Sequence, residues 1–217
     1  MFNIIKIDGC ITMDAFVSEI RKYVDINNDN VVFDIGSKDG SDARYIGHCM
    51  GVSLDNTYAF EAHPTEHHIH KDANRNIHWI NIAIYDYDGD IEFHTKGIGT
   101  GIHSIRDRGS EFGTGSIQVP CRKISTLINE NRVKQPTIVK VDVEGCSLEI
   151  LQSFEEYIHN VKIFHMETER EKYFKDQHLE DEVFEYLSKH GFIMTMYSTT
   201  PGSNQHDSVW VHSSLIH

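Results

Sequence analysis

The chain has 217 residues, 39% of them hydrophobic and 24% charged, which is enough to build one α/β domain with a full core. Its formal net charge of −13 opposes a phosphate backbone, so a nucleic acid is an unfavourable partner. The four cysteines are scattered without a C-x-x-C pair, so the sequence indicates neither a zinc knuckle nor a disulfide framework.

The sequence contains no apolar run of membrane-spanning length, and Asp8 interrupts the apolar start of the chain before it could serve as a signal peptide. We therefore expect a cytoplasmic protein that does not contact a membrane. A single domain over residues 1–217 is predicted, and one domain of a longer polypeptide is the alternative. Within it, residues 1–30 are predicted to supply a helix that covers the sheet, because apolar residues recur at helical spacing after Thr12.

A buried strand followed by an acidic glycine turn forms the centre of the predicted site. Residues 31–35 are nearly all apolar and β-branched, as in a parallel strand covered on both faces, and Asp34 interrupts them near the strand end. Gly36 and Gly40 allow the backbone to turn tightly and to approach a ligand. The unit is therefore a strand, a turn and a helix, with its carboxyl end open to a ligand.

The residue types of this turn distinguish between two ligand classes. A dinucleotide fold places a second glycine where Lys38 stands, to make room for a pyrophosphate. A carboxylate at Asp34 suits a cationic amine better than a diphosphate, and S-adenosylmethionine has such an amine. The predicted cofactor-binding residues of the turn are Asp34, Gly36, Ser37, Lys38 and Gly40.

Two further strands carry polar residues near their ends. Residues 57–61 end in Glu61, where an acid can accept hydrogen bonds from both ribose hydroxyls of an adenosine cofactor. Residues 77–84 are predicted as the third strand, with Asn81 placed to meet an adenine edge. These features indicate that the cofactor contains adenosine, but they do not identify the rest of the molecule. An NAD-linked oxidoreductase is therefore an alternative.

Residues 85–120 depart from a plain doubly wound fold. The sequence Asp88-Gly89-Asp90 predicts a hairpin turn that pairs residues 83–85 with residues 91–94 in an antiparallel ribbon. Residues 117–120 alternate like an edge strand, since Pro120 cannot donate to a ladder. Between them lies a glycine-rich segment, residues 97–105, which is predicted to form part of an acceptor pocket.

The second half of the chain repeats the pattern of buried strands that end in acids. Residues 137–145 place Asp142 and Glu144 near the end of one strand, and residues 161–167 place Glu167 at the end of the next. The last two strands are predicted to form an antiparallel pair. The predicted fold is α/β and Rossmann-like, of the class I methyltransferase type: a mostly parallel seven-stranded sheet with a reversed edge hairpin and a small inserted antiparallel ribbon.

Five segments resemble, in order, the FkbM family of O-methyltransferases: residues 33–40, 59–64, 81–83, 140–145 and 165–167. The K-x-D-x-E-G segment behind D-x-G-x-x-x-G is the most specific part. Relatives usually have Asn in place of Lys38 and Pro-Asn in place of Ala62-His63. The resemblance implies methyl transfer from S-adenosylmethionine to a hydroxyl, commonly on a sugar or a secondary metabolite. The resemblance also makes four further residues candidates for cofactor binding: Ala62, Ile82, Ala83 and Asp142.

Methyl transfer to a hydroxyl needs a base beside the acceptor, and a positioned base is worth roughly 10²–10⁴-fold. Asp142 is the preferred base, Glu167 is the second carboxylate that converges on the methyl position, and His103 is the leading histidine candidate. A divalent metal that acidifies the hydroxyl is a further alternative, but no metal ligands are assigned. The expected partner is a small-molecule or glycan acceptor. A non-catalytic module that kept the fold is the remaining alternative.

Overall fold

The computed structural model describes residues 4–107, 109, 115–198 and 202–216, so small parts of the predicted insertion and of the last connection lie outside it. The strands are β1 (Ile5–Ile7), β2 (Val32–Ile35), β3 (Thr57–Phe60), β4 (His78–Ile80), β5 (Ala83–Ile84), β6 (Gly89–Thr95), β7 (Gly115–Arg122), β8 (Ile138–Val141), β9 (Ile163–Glu169), β10 (Phe192–Ser198) and β11 (Gln205–His212). The helices are α1 (Met13–Ile20), α2 (Ser41–Cys49), α3 (Pro64–Ile69), α4 (Ile124–Asn129), α5 (Ser147–Gln152) and α6 (Glu180–Lys189). None of the helices in the described ranges is long and apolar enough to cross a membrane.

The main sheet has the strand order β1-β10-β11-β9-β8-β2-β3-β4. Its strands pair in parallel except for β11, which runs antiparallel to both β10 and β9. The predicted mostly parallel sheet with one reversed strand is therefore confirmed. The predicted number of strands is wrong by one, because β1 adds itself in parallel beyond β10. Its three residues, two of them exposed, are too few to show a strand pattern in the sequence.

The central strands are apolar because helices cover both of their faces. Every residue of β2, β3 and β8 is buried. On one face, Phe16 and Ile20 of α1 pack with Ile46 of α2 in a single apolar cluster. Thr12 caps α1 by accepting a hydrogen bond from the Ala15 N–H at 3.2 Å, at the position where the sequence predicts the start of a helix.

The insertion forms a separate three-stranded sheet in the order β5-β7-β6. The predicted hairpin between residues 83–85 and 91–94 is wrong, because β7 lies between β5 and β6 and pairs in parallel with β5 and antiparallel with β6. Residues 117–120 therefore belong to the central strand of this sheet and not to an edge strand. Pro120 is accommodated because β5 pairs only with Cys121 and Arg122, beyond the proline.

Three strand ends differ from the prediction, and all three lie near the pocket described below. The predicted third strand divides at Asn81 into β4 of the main sheet and β5 of the small one. The strand β8 ends at Val141, so Asp142 and Glu144 both stand in the following turn. The strand β9 continues to Glu169, two residues past the predicted end at Glu167, because β11 pairs with it along that whole length.

Candidate active site

A pocket opens where the carboxyl ends of β2, β3 and β8 meet. Ligands bind at this edge of open α/β sheets, at the point where the strand order reverses. The small sheet and the segment that follows β6 form its other wall. Its apolar lining includes Ile35, Phe60, Ile82, Ile84, Phe93 and Ile105, and its polar lining consists of Lys38, Glu61, Glu66, His103, Ser104, Asp142 and Glu144. Four carboxylates against one lysine favour a ligand that carries positive charge.

The turn after β2 adopts the backbone conformation that its glycines predict. Gly36 and Gly40 have φ of 80° and 75°, and Lys38 between them has φ of 55°. A Cβ at Gly36 would collide with the Asp142 carbonyl oxygen, so the glycine allows the turns after β2 and β8 to touch. Gly40 is crowded in the same way by the Asn74 side chain. These contacts bring the two predicted acidic turns to one wall of the pocket.

Asp34 is fully buried behind this wall. One of its oxygens accepts hydrogen bonds from the Ser37 hydroxyl at 2.5 Å and from the Ala43 N–H at 3.2 Å. The other oxygen has no hydrogen-bond partner within the described part of the chain. Burial raises the pKa of Asp34, with Lys140 and Ser37 opposing the shift. Its predicted contact with a cofactor amine stays a prediction.

Lys140 is the residue that the sequence analysis missed at this site. Its side chain is 4% exposed, and its ammonium lies 2.7 Å from Asp142, 3.2 Å from Asp42 and 3.7 Å from Asp34. We call these three carboxylates the inner acid group. Burial alone would lower the pKa of Lys140, but the acids raise it, so the ammonium stays charged. The signal in the sequence was a lysine inside an otherwise apolar buried strand, which requires a counter-charge.

Glu61 lines the pocket directly after β3. One carboxylate oxygen accepts a hydrogen bond from the Lys38 N–H at 2.8 Å, and the other accepts one from the His63 N–H at 2.7 Å. Burial raises the pKa of Glu61 to about 7, while these two hydrogen bonds oppose the shift. Asn81 holds this turn from behind, since its amide donates to the Glu61 carbonyl at 2.7 Å and to the Ala62 carbonyl at 3.1 Å.

A second set of carboxylates comes from the turn after β8 and from β9 and β11, and we call it the outer acid group: Glu144, Glu167, Glu169 and Asp207. Glu167 and Asp207 are opposite each other across β9 and β11. The Gln205 amide donates to Glu167 at 3.1 Å and to Glu144 at 3.3 Å, which links Glu167 to the rim of the pocket. Burial, and after it the charges of the neighbouring carboxylates, raise the pKa of Glu167 to about 9.

Asp142 is the member of the inner acid group whose charge also acts on Glu167. Its side chain is 44% exposed at the pocket and accepts a hydrogen bond from Lys140 at 2.7 Å. Burial would raise the pKa of Asp142, but the Lys140 ammonium lowers it below its ordinary value. Asp142 is therefore held as a carboxylate of low basicity, while Glu167 is a carboxylate of high basicity.

The structure thus brings together at one pocket most of the predicted site: Gly36, Lys38, Glu61, Ala62, Ile82, Ala83, His103 and Asp142. Asp34, Ser37, Gly40 and Asn81 support its walls through the contacts described above. Glu167 is not part of the lining and is connected to it through the Gln205 amide, which also bonds Glu144. Glu66 also lines the pocket, and no sequence motif identifies it as a site residue. Across the described residues, no group of three or more His, Cys, Asp or Glu side chains has a geometry that could hold a metal ion.

The model of the FkbM methyltransferase domain matches residues 34–194 of the chain. The chain belongs to the FkbM methyltransferase family. A curated relative, the hexuronic acid methyltransferase AglP of Haloferax volcanii, is 28% identical over 138 residues, which cover 61% of this chain and 53% of AglP. The chain therefore spans about half the length of the curated relative that it matches.

Two solved structures share the fold. An FkbM methyltransferase from Methylobacillus flagellatus KT superposes with a TM-score of 0.53 at 12% identity, over 85% of this chain and 44% of that one. TrmK from M. capricolum, solved with S-adenosylhomocysteine, superposes with a TM-score of 0.50 at 10% identity, over 91% of this chain and 67% of that one. The fold of this FkbM-family chain is thus the Rossmann-like class I methyltransferase fold, as predicted.

Proposed function

We propose that this FkbM-family chain transfers a methyl group from S-adenosylmethionine to a hydroxyl oxygen of a sugar or glycan. One observation carries the proposal: the acids that follow β3 and β8, the two strands on either side of β2, line a single pocket together with the glycine turn after β2, at Glu61, Asp142 and Glu144. The family membership favours methyl transfer over the alternative of an NAD-linked oxidoreductase. The acidic lining adds to this, because it would repel the diphosphate of a dinucleotide.

The residues of the pocket fit S-adenosylmethionine part by part. Glu61 is placed to accept hydrogen bonds from the ribose hydroxyls, since each of its oxygens uses only one lone pair on a backbone N–H. Ile82 and Ala83 offer apolar contact to the adenine ring. S-adenosylhomocysteine in the structure of TrmK, which shares the fold, is consistent with this cofactor.

The outer acid group suits a cationic donor and supplies the base. When bound, S-adenosylmethionine supplies an electrophilic methyl group on a positively charged sulfur. A positive charge close to Glu167 would lower the raised pKa of this carboxyl and favour its ionised form. Glu167 would then take the proton of the acceptor hydroxyl as the oxygen attacks the methyl carbon. Asp142, tied to Lys140, would orient the acceptor or the donor and not remove the proton.

The acceptor is proposed to be a neutral hydroxyl group of a carbohydrate. The name of AglP, a hexuronic acid methyltransferase, supports a sugar acceptor. A hexuronic acid offers both hydroxyl and carboxylate oxygens for methylation. The carboxylates at Asp142, Glu144 and Glu167 would repel a carboxylate acceptor at the methyl position, so the hydroxyl is favoured.

Isothermal titration calorimetry with S-adenosylhomocysteine tests cofactor use. The wild-type chain should bind it, and Glu61→Ala should weaken binding by about 10- to 100-fold, since a buried acceptor of two hydrogen bonds is lost. Glu156→Ala, an exposed acid far along the chain, is the matched control and should bind like the wild type. Equal affinities of wild type and Glu61→Ala would remove Glu61 from the site.

Transfer itself is tested with methyl-labelled S-adenosylmethionine and a panel of neutral glycosides and hexuronic acids. The proposal expects label on a hydroxyl oxygen of at least one glycoside, located by mass spectrometry after methanolysis. Cofactor binding without transfer to any acceptor of the panel would favour the non-catalytic module instead.

A further inference from the structure

His103 is held in the pocket wall by contacts on several sides. Its side chain is 6% exposed. The ring lies with its centroid 4.5 Å from the His63 ring and 6.1 Å from the Phe93 ring. Its Nδ1 accepts a hydrogen bond from the Lys96 N–H at 3.3 Å. The ring orientation is therefore set by the protein before any ligand arrives.

The Lys96 contact also determines which ring nitrogen of His103 carries the proton. Because Nδ1 accepts, the hydrogen of the neutral imidazole lies on Nε2. Burial lowers the pKa of His103, so the ring is neutral at pH 7. Its Nε2–H is buried and has no acceptor within hydrogen-bonding distance in the ranges that the structure describes. A neutral ring with this tautomer can donate to a pocket ligand from Nε2 but cannot accept a proton there.

Glu66 supplies the complementary acceptor. It is 2% exposed and lines the pocket with His103, and its Oε1 lies 3.9 Å from His103 Nε2. At this distance the two groups do not satisfy each other. Oε1 also accepts a hydrogen bond from the Gly99 N–H, which fixes the carboxylate against the inserted segment. A buried donor and a buried acceptor thus lie side by side in one pocket.

The pair lies at the ribose end of the pocket. His63, which packs against His103, donates its backbone N–H to Glu61 at 2.7 Å, and Glu61 is the residue proposed to bind the ribose. Ile82 and Ala83 provide apolar surface in the same pocket. A flat heterocycle attached to that ribose would meet apolar walls and, at its polar edge, one donor and one acceptor.

We infer that His103 and Glu66 recognise the adenine edge of the cofactor, with His103 Nε2–H donating to a ring nitrogen and Glu66 accepting from the exocyclic amine. The inference rests on the proposed use of an S-adenosyl cofactor and names the residues that select its base. It gives His103 a binding role in place of the predicted role as general base.

Calorimetry with S-adenosylhomocysteine and S-inosylhomocysteine tests the inference. Hypoxanthine replaces the amine by an oxygen, so Glu66 would face an acceptor and lose its partner. Wild type should bind the adenosyl compound about 10- to 100-fold more tightly, as expected for one buried unsatisfied polar contact. His103→Phe keeps a ring against Phe93 but removes the donor, so it should weaken adenosyl binding by a similar factor. His94→Phe, on the same inserted sheet, is the matched control and should change neither affinity.

Glu66→Gln provides a second test that survives if His103→Phe fails to fold. The amide can donate to the inosyl oxygen, so the preference for the adenosyl compound should fall or reverse. Equal wild-type affinities for the two compounds, or an unchanged preference in Glu66→Gln, would overturn the inference while leaving the proposed function intact. Absence of binding to either compound by the wild type would instead overturn the proposed function.

Discussion

The inner and outer acid groups are neighbours at the end of β8 but differ in how their charge is balanced. The inner group, Asp34, Asp42 and Asp142, surrounds the buried ammonium of Lys140. Glu167 of the outer group has no ion pair within the described residues, and its side chain accepts a hydrogen bond from the neutral amide of Gln205. Burial would raise the pKa of Asp142, but the Lys140 ammonium lowers it below its ordinary value. The pKa of Glu167 is raised both by burial and by its acidic neighbours.

Under the proposed function, this difference separates a structural carboxylate, Asp142, from the proposed base, Glu167. Asp142, whose pKa the Lys140 ammonium lowers, is ionised at neutral pH and holds that lysine in place. A carboxylate without a protein cation keeps a high proton affinity until a positively charged ligand arrives. We therefore infer that Lys140 balances the inner group permanently and that a cationic donor balances Glu167 only when it binds.

The largest expected effect comes from removing the cation of the inner group. Lys140→Met keeps the length and the apolar stem of the side chain but leaves Asp34 and Asp142 without their counter-charge. Breaking a buried ion pair on one side costs about 3–5 kcal/mol. Urea unfolding at pH 7 should show a loss of this size in the free energy of unfolding.

The control for this variant is Lys162→Met. Lys162 also lies near the sheet and donates to Asn30 at 3.1 Å, but it is only partly buried and bonds a neutral amide. Its loss should cost less than about 1 kcal/mol. Similar losses in the two variants would show that the three acids do not depend on Lys140.

The strands around Lys140 could be predicted from the sequence, but its ion pairs could not. The apolar runs of β2, β3 and β8 predicted the strands, and the acids that follow them predicted the pocket wall, because strand burial and strand ends depend on local residue types. The balance of charge could not be predicted in the same way. Asp142 is close to Lys140 in the chain, but Asp34 and Asp42 come from a much earlier segment, and no local pattern shows that they share its ammonium.

The inserted sheet shows the same limit. The turn residues at Asp88-Gly89-Asp90 are a genuine local signal for a turn. They do not indicate which strand pairs with β6, and β7, some twenty residues later in the chain, takes the position expected for β5. Glu66 and His103 meet across this insertion, so their proximity had no sequence signature.

The second largest effect is expected on catalysis. With an acceptor identified from the glycoside panel, Glu167→Gln should lower kcat by about 10²-fold or more, since a positioned base is worth roughly 10²–10⁴-fold. Asp142→Asn should lower kcat less and raise KM more, because Asp142 is proposed to orient ligands. A larger kcat loss for Asp142→Asn than for Glu167→Gln would reverse the assignment and restore Asp142 as the base.

A binding measurement tests the same assignment without an acceptor. A cation near Glu167 favours its ionised form, so S-adenosylmethionine should release protons on binding at pH 8 and bind more tightly as pH rises toward about 9. Calorimetry in buffers of different ionisation enthalpy measures this release. S-adenosylhomocysteine, which lacks the sulfonium charge, should release fewer protons, and Glu167→Gln should abolish the difference between the two compounds.

A smaller effect concerns stability against pH. The pKa of Glu167 is raised from 4.5 to about 9 in the folded protein, so between these values the folded state binds more protons than the unfolded state. Stability therefore falls as pH rises through this window. Glu167→Gln removes the dependence, so the variant should be more stable than wild type by about 1–2 kcal/mol at pH 8 and equal to it near pH 4. Thermal unfolding at both pH values measures the gain, with Glu185→Gln on the exposed face of α6 as the control.

The smallest expected effect distinguishes the members of the inner group from one another. Asp42 lies 3.2 Å from Lys140, but its side chain is 35% exposed, whereas Asp34 is fully buried. Water screens the Asp42 charge, so Asp42→Asn should cost less than about 1 kcal/mol and leave cofactor affinity unchanged. Asp34→Asn, measured beside it by urea unfolding, should cost more, because the Lys140 ammonium would lose a desolvated partner. Equal costs would mean that Lys140 is balanced by solvent-exposed acids and that the buried carboxylate contributes no more than they do.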